Sequence, residues 1–162
     1  MSLYTTHPEP AFAPAVSAPT ADPYIEVSRF YAQQAELLDD LRPDAFAEAF
    51  AETFTEDGVL SPSPLRKKSV GRGEIALSLR AAHHNRFGNQ PVRRRHWFSM
   101  LQVHEQPDGT LRTRFSSMVW VTRPWNPASE PGTSAVVEDV LVRAGDRLLV
   151  RERRITPDHL SF

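Results

Sequence analysis

Cysteine is absent from all 162 residues, so disulfides, thiolate nucleophiles and cysteine-based zinc sites are excluded. Long apolar runs are absent too, and no segment reaches the length needed to cross a bilayer as a helix. Charge imbalance is missing: 19 Lys and Arg against 20 Asp and Glu leave a net charge of −1. No global field therefore favours nucleic acid or an acidic partner. The N-terminus has no basic segment followed by an apolar core, and a cytoplasmic protein is the expectation. Internal repeats are not visible. Gly71-Arg72-Gly73 lacks the Lys-Ser/Thr of a phosphate loop, and no other cofactor motif occurs, so no cofactor is expected. His83 and His84 are adjacent on a predicted helix and diverge, so no metal site is expected either.

What is present fits one domain preceded by a tail. Residues 1–22 carry Pro8, Pro10, Pro14 and Pro19 among many alanines, a density that discourages helix and strand and predicts a flexible extension. Residues 23–162 form the predicted domain. Its apolar share is sufficient for a core, the whole chain being 40% apolar.

The first helix is predicted from Asp22-Pro23, an N-cap followed by Pro at the first helical position, to about Leu41. Val27, Phe30, Tyr31, Leu38 and Leu41 share one broad side, with Asp39 at its margin. Asp39 and Asp40 oppose the helix dipole, a local conflict of the kind that can mark function. Pro43-Asp44 restarts a helix in which Phe46, Phe50 and Phe54 form a core stripe. Glu56-Asp57-Gly58 reads as a turn before a short strand at Val59-Leu60, and Arg66-Lys67-Lys68 as wet surface. A third helix, about Glu74 to His84, presents Ile75, Leu79 and Ala82 to the core, with His83 beside that stripe.

Strands follow. The first long one is Arg93 to Val103. Its pleat puts His96, Phe98 and Met100 on one face and Trp97, Leu101 and Val103 on the other. Apolar residues on both faces call for two covers: the helices on one side and a second subunit on the other. After Pro107-Asp108-Gly109 a second strand spans about Thr110 to Thr122, and proline-rich residues 124–132 read as a loop. Strands at about Thr133–Arg143 and Arg147–Ile155 complete the set, the last read as an outer strand with Arg151, Arg153 and Arg154 at wet positions. Three helices followed by about four antiparallel strands indicate α+β, a curved sheet wrapped on helices around a cavity.

Phe30-Tyr31, Leu38-Asp39-Asp40, Phe54-Thr55-Glu56-Asp57-Gly58-Val59, Gly71-Arg72-Gly73-Glu74-Ile75, Arg95-His96-Trp97, Asp108-Gly109 and Glu138-Asp139-Val140-Leu141-Val142-Arg143 carry a resemblance through their order and spacing. Over about residues 24 to 156 the chain resembles the SnoaL-like proteins of the nuclear transport factor 2-like superfamily, closest in flavour to small proteins of bacterial aromatic polyketide pathways. The resemblance implies an α+β cone, often dimeric, with a ligand pocket inside. His96 is similar in position to the pocket histidine of dehydratase-like members and Asp39 to its acidic partner. Tyr31 sits where pocket tyrosines are common. A second histidine of the dehydratases is replaced by Met118-Val119-Trp120-Val121, and the Asp-Arg-Asp set of the epoxide hydrolases has no counterpart beside Arg112 and Arg114.

An imidazole held by a carboxylate can act as general base or acid near neutral pH. The expected catalytic pair is His96 and Asp39. Tyr31 is expected to hydrogen-bond a developing enolate, and Trp97, Phe98, His83, Met118 and Trp120 to bind substrate. The expectation is a cofactor-independent cyclase, dehydratase or isomerase acting on an aromatic polyketide-like molecule. The alternative is a non-catalytic binding module or accessory subunit for a partner oxygenase or reductase. Asp139 is a second acidic candidate, with an ion pair to a neighbouring strand's arginine as its other reading.

Overall fold

A computed structural model describes residues 22–40 and 42–161. Residues 1–21 of the predicted tail and Leu41 lie outside the described residues. Helix α1 (Pro23–Leu38) starts where the sequence signals it: the Asp22 side chain accepts a 2.9 Å hydrogen bond from the Tyr24 N–H. Val27, Phe30, Tyr31 and Leu38 are buried on one side, and Gln34 with them. Helix α2 (Pro43–Ala51) buries Phe46 and Phe50, and α3 (Arg72–Phe87) buries Ile75, Ala76 and Phe87. Ala82, expected in that stripe, is exposed; Ile75 and Ala76 join the core and Leu79 packs against it.

Six strands rather than four make the sheet: β1 (Phe54–Ser61), β2 (Ser69–Val70), β3 (Arg93–Glu105), β4 (Leu111–Arg123), β5 (Asn126–Ala144) and β6 (Arg147–Pro157). Their order is β2-β1-β6-β5-β4-β3, antiparallel throughout except that β1 and β6 run parallel. The open sheet curls over the helices, with α1 against β3. The core gathers Phe46, Phe54, Phe115, Leu111, Leu141 and Val150 between the two layers.

Phe54 is fully buried but opens β1 instead of closing the second helix. Glu56-Asp57-Gly58 is not a turn; it is the irregular part of β1, where the register against β6 slips between Phe54 and Val59. Residues 126–132 are strand, not loop. β6 pairs with β5 only from Ala135 to Ala144, so around Pro127 and Pro131 β5 has β4 on one side, with Pro131 opposite Trp120, and no ladder to β6 on the other.

Two bulges re-aim the sheet's side chains. In β3, Ser99 faces Ser116 but Gln102 faces Arg114, leaving one extra residue on β3. Met100 absorbs it at φ 57°, a left-handed conformation unusual for a side chain of its size. The pleat therefore inverts: Phe98, Leu101 and Val103 all pack on the core, while Trp97 and Met100 stand out at 62% and 78% exposure. The expectation that Leu101 and Val103 share the outer face with Trp97 fails for this reason. In β6, Val140 faces Glu152 and Leu141 faces Val150, so Arg151 is extra and the pleat inverts again. Arg153 is thereby turned inward to 3% exposure, and β6, between β1 and β5, is not an outer strand.

A methyl group at Gly58 would come within 2.9 Å of Phe54 Cβ and 3.0 Å of the Thr55 carbonyl oxygen. Gly58→Ala is expected to cost about 1–3 kcal/mol by overpacking, read from urea unfolding midpoints. An unchanged midpoint would show that the β1 irregularity gives way freely.

Candidate active site

Asp39 ends α1 as its C-cap, its N–H bonded to the Ala35 carbonyl. A carboxylate there is unfavourable to the helix dipole, and β3 answers it. Asp39 Oδ1 accepts from the His96 backbone N–H at 3.0 Å and from His96 Nδ1 at 2.8 Å; Arg95 Nη1 stands 3.8 Å from Oδ2. Both side chains of the pair are 12% exposed. Because an ionised carboxylate only accepts, Nδ1 carries the proton of this hydrogen bond, and the neutral form of the ring has its lone pair on Nε2.

His96 lies between two spaces. One is an interior cavity of about 190 Å³, bounded by Leu38, Phe50, Phe98, Val119, Ile155 and Arg153. The other is a groove of about 680 Å³ over the sheet's free edge at β3. His96, Phe98, Phe115, Ser117 and Ala135 border both. Tyr31, Trp97 and Met118 also border the groove, which reaches both faces because β3 is an edge strand. The groove thus gathers His96, Tyr31, Trp97, Phe98 and Met118 from the predicted site residues, and Asp39 joins them through His96. Trp120 belongs to the outer face, its ring 6.0 Å from that of Trp97. His83 packs between Phe46 and Phe87, away from the interior cavity. Neither Trp97, Met118 nor Trp120 walls that cavity: β3–β4 pairing places Val119 opposite His96 and Ser117 opposite Phe98 as the inward residues.

Tyr31 is also placed differently from the expectation. Its hydroxyl donates to Asp139 Oδ2 at 2.8 Å, and the Thr113 hydroxyl, 2.5 Å away, donates to it. Burial first, then the Asp139 charge, raises the phenol well above its ordinary pKa. That hydroxyl is committed to the fold.

The residue the sequence does not announce is Arg153. Its Nε donates to Asp139 Oδ1 at 2.8 Å, and its Nη2 to Asp139 Oδ2 at 2.6 Å and to Gln34 Oε1 at 2.7 Å. Gln34 in turn donates to Thr53. Burial pulls the guanidinium's pKa down, but Asp139 outweighs it and the net shift is upward. Asp139 is therefore the buried ion-pair partner of a neighbouring-strand arginine. Arg153 Nη1 has no hydrogen bond among the described residues, and the guanidinium borders the interior cavity. Strict alternation along β6 hides this arginine; only the bulge at Arg151 reveals it. Among the described residues no group of three or more His, Asp or Glu could hold a metal ion, and no helix is long and apolar enough to cross a membrane.

Residues 20–154 match the SnoaL-like domain model. Among solved structures, a Catenulispora acidiphila protein in complex with S-DNPA is 36% identical, covering 85% of this chain and 95% of that one, at a TM-score of 0.72. ActVI-ORFA of Streptomyces coelicolor is 35% identical over 84% and 97%, TM-score 0.75. Aln2 of a Streptomyces species is 32% identical over 90% and 97%, TM-score 0.76. No curated protein matches the chain.

Removing one partner of the buried pair leaves an uncompensated charge. Asp139→Asn is expected to lose about 3–5 kcal/mol in chemical denaturation, whereas the double variant Asp139→Leu/Arg153→Met should lose less than Asp139→Asn alone. A double variant weaker than the single one would show that the pair itself, beyond charge neutrality, stabilises the fold.

Proposed function

The chain belongs to the SnoaL-like domain family, and we propose that within it this protein is a cofactor-independent polyketide-tailoring enzyme whose His96–Asp39 pair moves a proton. The observation that carries the reading is the 2.8 Å Nδ1–Oδ1 hydrogen bond at the rim of an apolar cavity. It fixes one tautomer and leaves Nε2 as the base. In this reading Nε2 takes a proton from a carbon α to a carbonyl, and Asp39 stabilises the imidazolium formed. The electrons of the broken C–H bond move onto the carbonyl oxygen as an enolate. Arg153 Nη1, not Tyr31, donates to that oxygen. The enolate then closes a ring, expels a hydroxyl or is reprotonated, with His96 returning the proton in each case: cyclase, dehydratase or isomerase. The S-DNPA complex of a relative supports a small-molecule substrate. An aromatic polyketide-like substrate and a cytoplasmic site of action belong to the same reading.

A second reading is a non-catalytic subunit that binds an intermediate for a partner oxygenase or reductase. Val119 favours it, because the inward position opposite His96 holds no second acid-base group. Proton exchange separates the two. With aromatic β-keto substrates in D₂O, the wild type is expected to incorporate deuterium or change the ligand mass. His96→Ala should slow this by about 10²–10⁴-fold, and Asp39→Asn by less. Full turnover in both folded variants would eliminate the pair; a bound ligand recovered unlabelled and unchanged from wild type would establish the accessory role.

The outer face supports a homodimer as a further part of the proposal. Trp97, Met100 and Met118 are exposed at 62%, 78% and 40% on or beside one surface, and the indole N–H of Trp120 is buried without a partner among the described residues. Light scattering is expected to give twice the chain mass, and Trp97→Glu to give a folded monomer. A monomeric wild type at micromolar concentration would refute the dimer.

A further inference from the structure

Arg94 sits one inward position before His96 on β3, and its guanidinium lies 4.6 Å from the centre of the Phe46 ring. The His83 ring packs against the same phenylalanine at 5.7 Å. Arg94 Nη2 and His83 Nδ1 are both buried, and neither has a hydrogen-bond partner among the described residues. Buried donors are almost always satisfied, and an unpaired guanidinium nitrogen is the costlier kind to leave open. Both side chains border a cleft of about 760 Å³ between α3 and the start of β3. That volume lies within the range of small-molecule sites.

The charges around the cleft select the ligand. Arg80 is ion-paired with Glu48 and Arg123 with Glu130, so neither is an unspent cation. Arg93 is exposed and screened by solvent. Asp40 borders the cleft, and hydrogen bonds from Arg42 hold its carboxyl down to about 2, so it is ionised. Burial lowers His83, which favours the neutral imidazole with its N–H available as a donor. One buried cation with Asp39 and Asp40 both near it, and one neutral donor, suit a monoanion and disfavour a phosphate dianion.

We propose that this cleft is a binding subsite for the carboxylate of a small acidic aromatic ligand, one oxygen accepting from Arg94 Nη2 and the other from His83 Nδ1. The choice of an aromatic probe rests on the proposed function; the subsite itself rests on Arg94 and His83.

The test is calorimetric titration of the full chain with 2-naphthylacetate and with its uncharged isostere 2-naphthylacetamide. Wild type is expected to bind the acid at least tenfold more tightly than the amide. Arg94→Met, which keeps an apolar cover over Phe46, should abolish that preference while still binding the amide; a melting temperature near wild type certifies its fold. His96→Ala should keep the preference, so failure of the proton-transfer chemistry and failure of the subsite are read separately. Adding the acid should also shift the His83 Nδ1 ¹⁵N resonance. Equal binding of acid and amide, no binding of either to wild type, or an acid preference surviving in Arg94→Met would each overturn the subsite.

Discussion

The buried ion pair between Asp139 and Arg153 is the constraint on which the rest of the structure depends. It lies where four elements meet: Asp139 on β5, Arg153 on β6, Thr113 on β4 through the Tyr31 hydroxyl, and Tyr31 and Gln34 on α1. Taking two charges out of water is costly, and apolar replacements of similar volume are often as stable. What the pair supplies is registration. Its carboxylate and the Tyr31 and Gln34 side chains are matched donor to acceptor, so α1 cannot slide or rotate on the sheet without stranding a buried charge. The aromatic cage of Tyr31, Phe50, Phe54 and Phe115, with ring centres at 5.8, 5.6, 5.7 and 5.8 Å from the guanidinium carbon, fixes its plane as well. Once α1 is registered, its C-terminus is delivered to β3, and Asp39 meets His96.

That second contact resolves a conflict visible in the sequence. Two acids at a helix C-terminus lack local compensation in α1, which has no basic residue in its last turn. Asp40 finds it next door in Arg42 and stays on the surface. Asp39 finds it 57 residues away, in the backbone and side chain of His96. One oxygen accepting both N–H groups holds the imidazole plane relative to its own strand, which a side-chain contact alone would not do. The conflict in α1 is thus settled by a tertiary contact that also orients the His96 imidazole.

The helical half of the fold was legible because its signals are local: Asp22-Pro23 caps α1, and Val27, Phe30, Tyr31 and Leu38 keep a 3.6-residue period. The pairing of His96 with Asp39 was legible only through the resemblance to SnoaL-like proteins, since their separation along the chain carries no local mark. The sheet was less legible for a single reason. Period-two alternation assumes an uninterrupted pleat, and one extra residue in β3 and one in β6 each invert it. No glycine at position 100 announces the left-handed backbone there, so Leu101 and Val103 were assigned to the wrong face. Arg151 hides the inward turn of Arg153 in a run that looks like a solvated edge. Tyr31 lies on the apolar side of α1 that its spacing predicts, but its hydroxyl, expected to meet a substrate, bonds to Asp139.

The inversion in β6 brings Arg153 to the interior cavity, and the regular first half of β3 brings His96 to it. Arg153 enters already neutralised by Asp139, and the His96 side chain enters with its Nδ1 bonded to Asp39. A group arriving there as a full anion would gain from the Nη1 dipole but meet Asp139 behind it. On the proposed mechanism a neutral carbonyl loses little on entering and gains as its oxygen becomes negative, because Asp139 and Gln34 hold the guanidinium in place before the charge develops. Permanent charge is better held at Arg94, whose Nη2 is buried with no carboxylate among the described residues bonded to it. On the proposed reading, an existing charge is recognised at Arg94 on β3 and a transient one is stabilised at Arg153 on β6.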